Sequence, residues 1–320
     1  MVASPCVCRG PAGSLGGVVS GRRRGDDRAP VGARSRPVNV APLNAREADA
    51  DVAALEPDER GAAAAFLAAH PPGTGAPLAV VIPAYNEEPT VGIVVSEIPR
   101  EAAGLQTEVI VVVDGARDRT ASRAAAAGAL VCDVPVNRGQ GAVLRLGYWL
   151  ARARGARLIA TIDADGQYEP LELERVIAPI LAEEADFVSG SRRLGSELTT
   201  DRVRHLGVLV FGALISVLVR QRVTDPACGI RAMRAELTAA VTLEQAQYQA
   251  SELMISAALN GFRLAEVPTT MRDRGTHATG TKKGGNLGYG VRFARAAFHT
   301  WKRDRTAART RLRPEKIQCS

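Results

Sequence analysis

The stretch Leu158–Gln167, LIATIDADGQ, is a short apolar run that ends in two carboxylates one residue apart. If the run is a strand, its side chains alternate across the sheet, so Asp163 and Asp165 share one side and Ala164 faces the other. Two carboxylates with the amide oxygen of Gln167 suit one hard cation, Mg2+ or Mn2+. Positions would remain open for the oxygens of a diphosphate. An acidic turn closing a buried strand fits the same letters, so the decision passes to the flanking sequence.

Outward from this stretch, apolar runs recur at Leu78–Ile82, Val109–Val113 and Ala129–Val134, separated by helical segments. Strands alternating with helices predict an α/β fold with a mostly parallel central sheet covered on both faces. Ligands of such sheets bind beyond the carboxyl ends of the strands, and the polar residues gather there. The first run ends in Pro83-Ala84-Tyr85-Asn86-Glu87. The second ends in Val113-Asp114-Gly115-Ala116-Arg117-Asp118-Arg119-Thr120. Asp114 at a strand tip can accept the N–H groups of a nucleobase or the hydroxyls of a ribose, whereas Asp118 reads better as a cap for the helix that follows. The turn Asn137-Arg138-Gly139-Gln140-Gly141 has neither the Lys-Ser/Thr ending of a P-loop nor the spacing of a dinucleotide fingerprint, so tight packing explains its glycines better.

The chain has 320 residues, 46% of them hydrophobic, room for a large buried core. Aromatic residues make up only 4%, which argues against nucleic-acid recognition by stacked rings. The formal charge of +7 is concentrated late: thirteen basic residues and three acids follow Met271. That imbalance points to a local anionic partner, phosphate groups or a membrane surface. Five cysteines without paired spacing predict neither a zinc site nor a disulfide scaffold. Residues 1–75, rich in Gly, Pro, Ala and Arg, read as a disordered leader, although the Ala-rich part of 47–69 favours a short helix. The apolar stretch Leu206–Val219 is too short to span a bilayer and predicts a buried or interfacial helix.

The ordered series PAYNE, VVVDGARDRT, NRGQG and TIDADGQ, continuing through SGSRR (189–193), TDPACGIR (224–231) and GFRLAEVP (261–268), resembles the family 2 glycosyltransferases. The likeness is greatest to the branch of dolichol-phosphate mannose synthases and related polyprenyl-phosphate sugar transferases. It implies a GT-A fold, Rossmann-like and built to bind a nucleotide-sugar, over 76–271, followed by a basic closing loop, amphipathic helix and tail over 272–320. By position in those motifs, the resemblance implies that Pro83, Tyr85, Glu87, Val112 and Asp114 shape the nucleotide pocket. Asp163, Ala164 and Asp165 meet ribose, diphosphate and metal, with Gln167 as a further metal ligand. Arg192 handles phosphate, and Arg274 with Lys282 closes over the diphosphate. Departures from the family pattern include Val113 where a second acid is common, Ala116 for a Ser or Thr, and Cys228 for a frequent Ser.

The function this implies is inverting, metal-dependent transfer from a GDP- or UDP-sugar to a polyprenyl phosphate at the cytoplasmic face of the cell membrane, with the protein bound peripherally. Such an acceptor is already ionised at neutral pH and needs no strong base. A soluble hydroxyl acceptor, such as a cell-wall precursor or secondary metabolite, would need one, for which Asp225 is the best candidate; a turn residue before Pro226 is the competing role. Arg202 and Arg204, opening the apolar helix, would meet an acceptor phosphate. Leu287, Val291, Phe298 and Trp301 among Arg292, Arg295 and Lys302 suit a bilayer interface or, equally, a helix packed on the domain. A nucleotide-binding GT-A module without turnover is a third reading, against which the retention of Asp114, Asp163, Asp165 and Arg192 together argues.

Overall fold

In a computed structural model the described residues are 55–197, 202–272 and 286–311, with the side chains of 197, 202–206, 286–287 and 308–311 also outside the description. They belong to one compact unit, Val40–Ser320. Eight strands form one sheet: β1 (Leu78–Ala84), β2 (Glu101–Ala102), β3 (Leu105–Asp114), β4 (Leu130–Val134), β5 (Leu158–Thr161), β6 (Phe187–Glu197), β7 (Arg231–Arg234) and β8 (Leu264–Met271). Their order is β3-β1-β5-β7-β6-β8, with β2 and β4 both paired to β3. The β1, β3, β4 and β5 pairings are parallel, as is β6 with β8. β7 runs antiparallel to both of its neighbours.

The helices are α1 (Pro57–Ala69), α2 (Val91–Glu97), α3 (Thr120–Ala126), α4 (Gln140–Arg154), α5 (Leu173–Leu181), α6 (Arg202–Val219), α7 (Ala235–Ala240), α8 (Gln249–Leu259) and α9 (Asn286–Arg311). The pleat divides the strand side chains between two cores. Ala79, Val81, Ile110, Val112, Ile159 and Met233 join the layer containing α1, α4, α6, α8 and α9. Leu78, Val80, Ile82, Val111, Val113 and Ala160 join the layer containing α2, α3 and α5. Coverage on both faces is why these strands read as continuous apolar runs instead of alternating ones. The Val112 side chain is fully buried in the core, which leaves only its backbone to border a nucleotide.

The leader holds the short helix expected within 47–69, and that helix packs on the core. It is α1, which begins with Pro57 at a first-turn position and a reciprocal capping box between Glu56 and Glu59. Ala63 and Phe66 are buried in the core. Asp58 pairs with Arg138 through two hydrogen bonds of 2.7 and 3.1 Å, so α1 braces a turn at the carboxyl end of the sheet. The first 54 residues lie outside the described residues. None of the described helices is long and apolar enough to cross a membrane.

Candidate active site

Sheet order reverses around β1, which has β3 on one side and β5 on the other. In an open α/β sheet that reversal leaves a crevice beyond the carboxyl ends of the strands. The loop after β1 carries Tyr85, 46% exposed, and Asn86 in the left-handed region at φ 53°. Side chains knit this loop to the one after β3. Asn86 Oδ1 accepts the Arg117 N–H at 2.9 Å, Thr120 Oγ1 accepts the Glu87 N–H at 2.9 Å, and Glu88 pairs with Arg119. Glu87 Oε2 accepts from the Thr90 hydroxyl at 3.1 Å, and Pro83 is half-buried beneath the loop. Asp118 accepts the Thr120 N–H at 3.0 Å at the entrance to α3, the capping role expected for it.

Asp114 is 3% exposed. Its two oxygens accept the backbone N–H groups of Arg138 (2.6 Å) and Gly139 (2.9 Å). Burial pushes its carboxyl above the ordinary value against the opposing pull of those two bonds. The geometry therefore gives Asp114 the task of fastening the Asn137–Gly141 turn, with one backbone N–H on each oxygen. The glycines of that turn are explained by packing. A Cβ on Gly141 would stand 1.8 Å from the Gln245 carbonyl oxygen, and Gly141 N–H bonds the Ala246 carbonyl at 2.8 Å.

The acids after β5 stand in a turn. The strand ends at Thr161, so the period-2 argument for Asp163 and Asp165 does not apply. Both are half-buried, whereas Ala164 is 3% exposed with its side chain in the core. Asp163 Oδ1 accepts from the Gln140 side-chain amide at 3.1 Å. Its Oδ2 lies where a Cβ on Gly229 would be, 2.0 Å away, so only glycine at 229 admits this carboxylate. Gly229 is itself anchored, donating its N–H to Tyr168 Oη at 3.3 Å. Asp165 Oδ1 accepts the Gln167 N–H at 3.1 Å and tightens the turn. Gln167 is 4% exposed, and its side-chain amide donates to the Arg272 carbonyl at 3.2 Å. It thus ties the end of β8 to this turn through its amide nitrogen, a bond that does not use the amide oxygen expected to meet a metal.

These residues bear on the expected cation. Among the described residues no group of three or more His, Cys, Asp and Glu could hold a metal ion. Two half-buried carboxylates in one turn, one seated in a glycine-lined notch, fit a hard cation that takes its other oxygens from a bound diphosphate and from water. They do not fit a cage built by protein alone.

Arg192 and Asp225, expected to handle phosphate and to serve as a base, are paired with each other. Arg192, on β6, donates from Nε and Nη2 to the two oxygens of Asp225, both at 2.6 Å, and its backbone N–H reaches Oδ2 at 3.1 Å. Exposure is 5% for Arg192 and 0% for Asp225. Burial alone would lower the Arg192 pKa, but the Asp225 hydrogen bonds outweigh it and hold the guanidinium firmly charged. Glu266 accepts the backbone N–H groups of Thr224 (2.8 Å) and Asp225 (2.9 Å), closing the cluster. A carboxylate so enclosed is shut off from an acceptor hydroxyl in this conformation, and the edge of the guanidinium that Asp225 leaves unused is buried, with Nη1 3.5 Å from Met271 Sδ. Cys228 beside them is buried, and burial pushes its thiol up to about 12.

Arg274 and Lys282, and the side chains of Arg202 and Arg204, lie outside the described residues. Sequence reasoning missed Gln140, Gly229 and Glu252. Glu252, 1% exposed, accepts the N–H groups of Glu244 and Gln245, both at 2.9 Å, and holds the loop that packs on Gly141. Arg303 of α9 reaches the same carboxylate at 3.2 Å and the Thr242 carbonyl at 2.6 Å. The available signal was a polar residue, Gln140, opening a helix directly after a strand tip.

Comparison with known proteins agrees with this architecture. The chain is 34% identical over 197 residues to a Haloferax volcanii protein named dolichyl-phosphate hexose transferase, covering 62% of this chain and 83% of that one. It is 32% identical over 194 residues to the uncharacterized protein MJ1222 of Methanocaldococcus jannaschii, covering 59% and 79%. Among solved structures it is similar to glucosyl-3-phosphoglycerate synthase from Mycobacterium tuberculosis in complex with Mn2+, uridine diphosphate and phosphoglyceric acid, with a TM-score of 0.55, 25% identity and coverage of 76% and 81%. Residues 79–241 match the model for Glycosyl transferase family 2, and the chain, with its GT-A-type sheet, belongs to that family of glycosyltransferases.

Proposed function

We propose that the chain transfers a sugar, with inversion, from a GDP- or UDP-sugar to a polyprenyl phosphate at the cytoplasmic face of a membrane. The observation that carries the acceptor class is the enclosure of Asp225. A hydroxyl acceptor needs a base, and the acid best placed in the sequence to be one is bound face to face by Arg192. A phosphate acceptor arrives ionised and attacks without one. The similarity to a dolichyl-phosphate hexose transferase supports the same class.

On the donor side, Pro83, Tyr85 and Glu87 border the crevice that receives the nucleotide. Asp163 and Asp165 would hold Mg2+ or Mn2+, the ions named in the mycobacterial complexes; the ion neutralises the departing diphosphate. Gln140 fixes the rotamer of Asp163, and Asp114 holds the turn that supplies Gln140. Arg274 and Lys282 complete the charge around the diphosphate, from a segment that begins where Gln167 fastens Arg272. Arg202 and Arg204, at the start of α6, receive the acceptor phosphate. In this arrangement the catalytic domain begins with α1.

A second reading has its own support: the solved relative bound to phosphoglyceric acid carries a soluble phosphorylated acceptor. One experiment separates the two. The full-length chain is incubated with a panel of GDP- and UDP-sugars, Mg2+ or Mn2+, and either a polyprenyl phosphate or 3-phosphoglycerate. The proposal expects solvent-extractable, lipid-linked sugar, lost in EDTA. Product made only with 3-phosphoglycerate would overturn the lipid acceptor, and turnover unchanged in EDTA would overturn the metal.

A further inference from the structure

Helices α6 and α9 pack against each other, with Phe211 of α6 stacked on Phe293 of α9 at 4.0 Å between ring centroids. The faces turned away from the core are unusual. On α6, Leu209, Ala213 and Val217 recur at four-residue spacing and are exposed together with Val210, so every exposed side chain described on this helix is apolar. Val217 is 76% exposed. On α9, Val291 and Phe298 are exposed on the face that also carries Arg295 and Lys302. Half of the exposed large apolar side chains among the described residues lie on these two helices.

Charge supplies the second observation. Arg220 and Arg222 follow α6 and are exposed, as are Arg292, Arg295 and Lys302 of α9. No exposed described residue of either helix is acidic; the one acid, Asp304, is buried and accepts from the Ser256 hydroxyl. An apolar strip rimmed by bases alone matches the surface of an anionic bilayer, whose acyl boundary takes the strip and whose headgroups take the bases. A soluble protein partner would have to match both features, whereas a bilayer offers them everywhere.

We propose that α6 and α9 form the membrane-docking face, lying in the plane of an anionic bilayer with the apolar strip of α6 inserted. The inference rests on the lipid-acceptor reading above, because docking there brings the start of α6 to the headgroup level where a polyprenyl phosphate is presented.

The test uses the full-length chain and sedimentation with vesicles of phosphatidylcholine, with and without phosphatidylglycerol. The wild type should sediment with the anionic vesicles and be released by salt. Val217→Glu should weaken partition about tenfold or more, Val217→Ser less, and Arg292→Gln or Arg295→Gln about fivefold each. All four variants should retain turnover on a water-soluble short-chain prenyl phosphate. Failure of the wild type to sediment, or Val217→Glu sedimenting like the wild type, overturns docking. Conversion of a dimer to a monomer by Val217→Glu, read by light scattering, also overturns it and makes this face an interface between copies of the chain. If vesicle binding persists while the wild type ignores the short-chain acceptor, the acceptor reading fails and the docking face stands.

Discussion

Asp163 and Asp225 are both aspartates at the carboxyl rim of one sheet, and they differ in the company they keep. Asp163 is half-buried and hydrogen-bonded by the neutral amide of Gln140. Asp225 is fully buried against the guanidinium of Arg192. The Gln140 amide orients the Asp163 carboxylate and brings no charge of its own to set against it. An arginine in bidentate contact cancels the charge and occupies both oxygens. The lesson is that the partner, more than position at the rim, decides whether an acid serves ligand or scaffold.

The comparison breaks most visibly at the scaffold acid. Asp225→Ala leaves Arg192 charged and buried, and should cost about 3–5 kcal/mol of stability, read as the shift in a urea unfolding midpoint. Asp165→Ala should do the opposite, lowering transfer roughly 10²–10³-fold, of the order seen when one transition-state contact is removed, while the unfolding midpoint stays in place. If the two variants behaved alike in both assays, the distinction would be lost. Gly229→Ala sharpens it, since a Cβ 2.0 Å from Asp163 Oδ2 must displace the carboxylate. Its activity should fall toward that of Asp163→Asn, without the collapse expected of Asp225→Ala.

A smaller effect concerns Asp186, an intermediate case. Burial alone would raise its carboxyl pKa, but hydrogen bonds from Arg263 outweigh that and hold it below the ordinary value. The depressed value makes its contribution to stability present above the ordinary carboxylate pKa and lost as pH falls through the folded value. Asp186→Asn should therefore flatten the acid limb of a stability-versus-pH curve and leave donor turnover unchanged.

The apolar strands were legible because a sheet covered on both faces demands uninterrupted apolar residues, and Leu78–Ile82 and Val109–Val113 are such runs. The loops at the carboxyl rim were legible because PAYNE follows Leu78–Ile82 and DADGQ follows Leu158–Ile162 directly. Asp225 was not, since its partner Arg192 stands 33 residues away and nothing local marks the pairing. The tie from Gln167 was hidden for the same reason: its anchor, Arg272, is 105 residues distant. The helix α1 was legible from its alanines, but its packing on the core was not, because only Ala63 and Phe66 of it are buried apolar residues. The turn at Asp163 shows a further limit, because periodicity describes a strand only as far as the strand runs.

Arg303 gives the C-terminal helix a bearing on how the chain can be handled. Its guanidinium joins the Thr242 carbonyl, Glu244 and Glu252, and through them the loop seated on the first turn of α4. A shortened gene ending before residue 286 would discard that clasp along with Phe293, and should yield a product that precipitates on expression.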